Sequence, residues 1–267
     1  MPSRLRRRVL WFFAGAVAVA SIGAFYSSPL HETPSDAISA LTFNVLFDNA
    51  DIESNVDAIR DADADILCLQ EITSDFEKAF RSSLATRYPF RHFESRSGTW
   101  GIGVASKYPL RDIEVFEQSP HRMPAIAASL SIDNERLQVA CVHLFPPTAK
   151  RDEEETFWET YLANEQLRLR QAERLTDKFR NAKHLLLLGD LNDFDKALSV
   201  LSNSGLKDGC EVRGSSCGPT YPGAKSVAPA VVTIDYILGR GVTFVSAARL
   251  KRGSSDHYPV QAWFRIE

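Results

Sequence analysis

The chain has 267 residues, 44% hydrophobic and 24% charged, with a formal charge of −3. These values are ordinary for a globular protein, and no internal repeat or low-complexity block marks a solenoid or disordered chain. Four of the 31 basic residues lie in 1–30, which has no acids. The remainder holds 27 basic and 34 acidic side chains, a charge of −7, which gives no support to a strongly electrostatic nucleic-acid binder but leaves room for a metal-assisted nuclease with a small basic patch.

The N-terminus differs in kind. Arg4, Arg6, Arg7 and Arg8 precede an uncharged stretch from Val9 to Tyr26. It is near the lower limit for a membrane span and slightly long for a signal-peptide core. Trp11 and Tyr26 sit near its ends as interfacial aromatics would, and Ala18-Val19-Ala20 offers a cleavage site. Residues 1–30 therefore read as a membrane anchor or signal peptide, and 31–38 as a linker. Either reading leaves the arginines in the cytosol and the rest on the periplasmic or extracellular side. The chain is membrane-anchored through residues 9–26, or secreted if 1–30 are removed.

Along the chain, Ala40 to Leu46 reads as a strand, Ile52 to Ala62 as a helix, and Asp65 to Glu71 as a short apolar strand. Ser74 to Leu84 reads as a helix capped near Ser74 or Asp75. Gly101 to Ser106 is a strand stopped by Lys107-Tyr108-Pro109. Pro124 to Ile132 and Arg136 to Leu144 form a hairpin across Asp133-Asn134. Thr156 to Phe179 has the longest helical pattern. Trp158, Leu162, Leu169, Ala172, Leu175 and Phe179 fall near one side, which predicts a core-facing stripe. Leu185 to Leu188 is a strand buried on both faces. Gly189 then allows a tight turn that presents Asp190 and Asn192 on one side. Leu198 to Ser204 is a short helix, and Val231 to Leu238 and Pro259 to Ile266 are strands. The order predicts a layered α/β domain with mixed sheets over 39–267, expected to be monomeric. Cys68 and Cys141 lie in apolar runs and read as small core residues, whereas Cys210 and Cys217 flank a polar loop that a disulfide would close.

Apolar strands repeatedly end in polar residues. Asn44 ends the first and Glu71 the second. His143 sits late in the hairpin's second strand, Asp190 and Asn192 follow the leucines, Asp235 interrupts an apolar run, and Asp256-His257 precede the last strand. Charges beside buried strands are costly unless paired or metal-bound. The residue types suit phosphate chemistry. A phosphodiester needs its equatorial oxygens neutralised, a deprotonated water in line and a stabilised leaving oxygen. Glu71 is a natural ligand for a hard cation, and His257 exchanges protons near neutral pH.

The pieces Thr42-Phe43-Asn44, Asp63 to Glu71, Val142-His143-Leu144, Gly189-Asp190-Leu191-Asn192, Ile234-Asp235-Tyr236-Ile237-Leu238 and Ser255-Asp256-His257-Tyr258-Pro259-Val260 occur in an order that resembles the endonuclease/exonuclease/phosphatase superfamily. Its members include deoxyribonuclease-like and sphingomyelinase-like enzymes. The resemblance implies a four-layer sandwich of two packed mixed β-sheets flanked by helices. It implies Mg2+ (or Mn2+) on Glu71, with Asn44, Asp256 and Asp190 around the metal. Asp190 and Asn192 would position phosphate and water, and Asp235 would orient His257. His143 matches a second histidine, and Arg122 resembles a phosphate-contacting arginine, so phosphate would meet Asn192, His143, Arg122 and Asn44. One departure is that Trp100 or Gly101 stands where secreted deoxyribonucleases carry a glutamate partner for that histidine. The expected function is divalent-metal-dependent hydrolysis of a phosphodiester or phosphomonoester outside the cytosol, with nucleic acid, a phospholipid headgroup or a soluble phosphate ester as substrate. The alternative is a membrane-anchored binding protein that kept the fold without activity.

Overall fold

Alternation along the strands builds the layers. In a computed structural model, which describes residues 36–118, 123–150, 152–211 and 217–267, β1 (Ile38–Asn44) and β2 (Ile66–Gln70) send Ile38, Ala40, Ile66 and Cys68 into one cluster. Leu41, Phe43, Leu67 and Leu69 go into another on the opposite face. That outer face is covered by α1 (Ile52–Ala62) and α2 (Ser74–Leu84) through Val56, Ile59, Phe76 and Phe80. The α2 cap is Thr73, one residue earlier than expected, whose side chain accepts from the Phe76 amide.

The first sheet runs β11–β12–β1–β2–β4–β3, adding β3 (Phe90–Glu94), β4 (Ile102–Ser106), β11 (Val242–Arg249) and β12 (Val260–Ile266). The second runs β5–β6–β7–β8–β10–β9, from β5 (Arg111–Gln118), β6 (Met123–Ile132), β7 (Glu135–His143), β8 (Leu185–Asp190), β9 (Lys207–Asp208) and β10 (Asp235–Arg240). Its outer face is covered by α3 (Phe157–Lys178) and α4 (Lys196–Asn203) through Ala172, Leu175, Ala197 and Leu201. The inner faces share a core that includes Ile66, Val104, Val139, Leu186, Leu188 and Phe264. This is the four-layer sandwich expected. Each sheet holds one parallel pair, β1–β2 and β7–β8, each joined by a helical crossover. Both pairs therefore end at the same edge of the sandwich.

Four strands had no clear apolar signature in the sequence. β3 and β5 are charged and lie at sheet edges, where the apolar alternation is weak. β9 spans two residues, and β11 carries partly exposed positions.

Three expectations are corrected. Asp235 does not interrupt a strand but begins one. Residues 231–234 approach Tyr221 through a bridge at Val232, and Thr220 Oγ1 accepts from the Ile234 and Asp235 amides. Cys68 and Cys141 are not free core residues: facing inward from opposite sheets with Cα atoms 5.3 Å apart, they form a disulfide between β2 and β7. Cys210–Cys217 closes the expected loop. The apolar stripe of α3 is core-facing only in its second half. Ala172, Leu175 and Phe179 are buried, but Trp158 and Leu162 are 50% and 57% exposed. No helix among the described residues is long and apolar enough to cross a membrane. The stretch Val9–Tyr26 and Arg122 both lie outside the described residues.

Candidate active site

Strand register gathers the polar strand ends. Parallel pairing of β7 and β8 sets His143 opposite Asp190, and antiparallel pairing of β8 and β10 sets Asp235 opposite the same Asp190. In the first sheet Asn44 stands opposite Gln70, so Glu71 follows at the same edge. β12 runs antiparallel to β1, so the Asp256-His257 segment enters there too.

Asp190 is the hub. Asn44 Nδ2 donates to Asp190 Oδ2 and to Glu71 Oε1, each at 3.1 Å, and so joins the two sheets. His143 Nε2 and His257 Nε2 lie 3.5 and 3.7 Å from Asp190 Oδ2. Asp190 Oδ1 accepts the Asn192 amide at 2.8 Å. His257 Nδ1 donates to Asp235 Oδ2 at 2.9 Å, which fixes the ring. All these side chains are buried; Glu71 and His257, at 8% and 5% exposed, are the most accessible.

The backbone is shaped for this convergence. Glu71 takes a left-handed conformation (φ 61°) and donates its amide to Gly101 O at 2.7 Å. A side chain is disfavoured in that region by about 1 kcal/mol or more, a strain characteristic of functional corners. Glu71 Oε2 accepts the Phe47 amide at 3.2 Å. Gly189 does not make the tight turn expected. It lies within β8, where a Cβ would stand 1.8 Å from Val142 O, so glycine permits close approach of the parallel strand. Asn192, also left-handed (φ 49°), donates Nδ2 to Leu144 O at 3.0 Å, so its amide group holds the loop against the end of β7.

Charge and burial compete here. Burial raises the proton affinity of Glu71 and of Asp190, the latter to a pKa of about 6. Burial lowers the pKa of His143. For His257 burial also pulls downward, but the Asp235 and Asp190 carboxylates outweigh it and hold the imidazole well above its ordinary range. Neither ring nitrogen of His143 makes a hydrogen bond of normal geometry, though the Thr99 main chain favours a protonated ring. The missing glutamate partner is not replaced by Glu94, which pairs with His92 and Arg96.

Asp190, Asp235 and His257 each offer a ligand atom, all within 4.8 Å of one another. In this arrangement Asp235 Oδ2 is bonded to His257, making that pair a hydrogen-bonded dyad. The wider donor set of Glu71, Asp190, Asn44 and Asp256 is oxygen-rich and contains no thiolate. Asp235 Oδ1 is buried without a partner. Surplus carboxylate charge and an orphaned buried acceptor fit a hard divalent cation.

Five residues without an assigned role support the site. Ser255 Oγ donates to Asn44 O and accepts the His257 amide. Thr220 aligns the start of β10, and the Tyr221 ring lies 5.1 Å from that of His257. Arg168 and Asp193, both buried, form an ion pair at 3.2 Å that holds the loop after Asn192. Only their burial, which sequence does not show, reveals it.

A model of the endonuclease/exonuclease/phosphatase family matches residues 41–257. No curated protein matches the sequence. Solved structures share the fold. A D. rerio TDP2 humanised by 14 mutations is 18% identical, with a TM-score of 0.70 over 87% of this chain and 100% of that one. D. rerio TDP2 complexed with a single-strand DNA product is 16% identical, with a TM-score of 0.66 over 86% of this chain and 99% of that one. An endonuclease/exonuclease/phosphatase from Bacteroides vulgatus is 18% identical, with a TM-score of 0.68 over 86% and 99%.

Proposed function

The chain belongs to the endonuclease/exonuclease/phosphatase family, and from that premise we propose that it is a Mg2+- or Mn2+-dependent phosphoesterase that works outside the cytosol. The observation that carries this reading is the Asn44 amide bridging Glu71 and Asp190, 3.1 Å from each, with His257 and its Asp235 partner beside it. A carboxylate for the cation and a proton-handling pair for water thus share one buried pocket.

Glu71 would hold the cation, with Asn44, Asp256 and Asp190 as its further oxygen donors. A cation held there would supply charge neutralisation for the phosphate and acidify a water. Asp190 or His257 would take the proton of the attacking water, and Asp235 keeps the ring aimed through Nδ1. His143, its Nε2 free of a hydrogen bond, donates to a phosphate oxygen or to the leaving group. Asn192 fixes the loop beside them. Arg122 is assigned to the phosphate by its sequence alone.

We place the catalytic domain at 39–267, acting as a monomer, after an anchor or signal at 1–30 and a linker at 31–38. Disulfides at Cys68–Cys141 and Cys210–Cys217 use all four cysteines and support an oxidising compartment. The substrate class is nucleic acid, as for the DNA-complexed relative, or a phospholipid headgroup or soluble phosphate ester. The test is turnover by the purified full chain with Mg2+, with and without chelator, on DNA, RNA, sphingomyelin, phosphoinositides and a generic phosphodiester. Chelator-sensitive hydrolysis of at least one is expected. Its absence on all of them overturns the reading.

A further inference from the structure

The first half of α3 is built inside out. Counted through Gln171, its buried residues are the polar Thr160, Asn164, Arg168 and Gln171, with Leu167 the one apolar exception. Asn164 donates to the Pro146, Pro147 and Ala149 carbonyls, Arg168 to Phe145 O, and Gln171 accepts the Phe145 amide. The exposed residues on the same turns include three large apolar side chains beside Glu159 and Gln166. Phe157, Trp158 and Leu162 are 54%, 50% and 57% exposed. Phe157, Trp158 and Tyr161 pack on one another with centroids 5.2 to 6.3 Å apart. Ordering three aromatic rings on a solvated helix end exposes a contiguous apolar patch, which soluble surfaces avoid unless it has a partner.

The patch belongs to the active-site edge. α3 begins at the edge where β7 ends at His143, and Arg168 ties it to Asp193, one residue past Asn192. The next residue, Phe194, is 53% exposed. The surroundings are acidic, with Asp152, Glu153, Glu154, Glu155 and Glu159 in the run that enters the helix. An aromatic platform for a polyanion would carry cations instead. Trp, Tyr and Phe on one face are the side chains that settle at a bilayer interface. The chain outside the structure points the same way. The uncharged run Val9–Tyr26 ends ten residues before Asp36, a link of up to about 33 Å, longer than the roughly 23 Å of β1 that separates the chain's entry from the site.

We propose that Phe157, Trp158, Tyr161 and Leu162 dock on a zwitterionic lipid surface and turn the Asp190 pocket toward it. The proposal rests on the extracytosolic, membrane-held reading above, not on turnover. It is tested with the full chain on phosphatidylcholine vesicles brominated near the acyl-chain ends that face the headgroups. Subtracting the fluorescence of Trp158→Phe from wild type isolates the Trp158 signal. That signal should be quenched at least twofold by bromolipid, and by less than half as much in Phe157→Ser/Leu162→Ser. Glu71→Gln should be quenched like wild type, so failure of the phosphoesterase reading is separable. No quenching of the Trp158 signal overturns the proposal. So does quenching by a single-stranded oligonucleotide in place of lipid, or a dimer in solution that the double variant dissolves.

Discussion

The two halves of α3 obey opposite rules on one continuous helix. The second half buries Ala172 and Leu175 against the apolar outer face of β7 and β8. The first half lies over the loop that leaves β7, where Pro146 and Pro147 offer carbonyls but no amides, and it buries the donors those carbonyls need. A helix face follows what it covers. Over a sheet it meets side chains, and past the sheet's edge it meets unsatisfied backbone. The same contrast divides the sandwich, whose active-site edge concentrates buried carboxylates and imidazoles while its middle is apolar.

The sharpest test of that division is at the edge itself. Glu71→Gln should lower metal-dependent turnover by about 1,000-fold or more without unfolding the protein, as loss of electrostatic transition-state stabilisation does. Without metal, the raised pKa of Glu71 means that the folded state holds its proton to higher pH than the unfolded chain. Wild type should therefore lose more stability than Glu71→Gln as pH rises from the ordinary glutamate value through the raised one, because Asp190, whose proton affinity is also raised, titrates in both proteins. Chemical denaturation in chelator across that range checks the sign. A parallel loss in both proteins would break the contrast.

Arg168→Ala should come next. Breaking a buried pair leaves Asp193 uncompensated at a cost of about 3–5 kcal/mol, and the loop carrying Asn192 loses its hold, so the denaturation midpoint and kcat should fall together. Leu175→Ala, in the second half of α3, should cost about 2–4 kcal/mol by cavity formation while kcat stays near wild type at temperatures where the protein is folded. If Leu175→Ala lowered kcat as much as Arg168→Ala, the two halves would not be functionally distinct. The smallest effect is expected for Phe157→Ser/Leu162→Ser, within about 0.5 kcal/mol by denaturation because both side chains are already exposed. A larger loss would mean that the patch is covered by the protein itself.

Much of the site was legible because parallel strands buried on both faces are nearly pure apolar runs, against which Asn44, Glu71, His143 and Asp190 stand out. Asp235 reads as an interruption in the sequence because periodicity cannot tell a strand's first residue from its middle when apolar residues precede it. Its true place came from pairing with Asp190. Sequence alone suggests a role for Gly189's conformational freedom, whereas it is the missing side chain that matters, for the approach of Val142. Cys68 and Cys141 lie 73 residues apart, and each by itself looks like a small core residue.

The sequence by itself determined the layers, the mixed sheets and the identity of the residues at the strand ends, because period-2 burial and apolar run length are local properties. Tertiary structure alone decided the register that places His143 and Asp235 on either side of Asp190, the disulfide across the sheets and the inverted face of α3. Each of these depends on what a residue meets from a distant part of the chain. A one-residue slip in strand pairing would reverse which side chains face the pocket while leaving the local sequence unchanged.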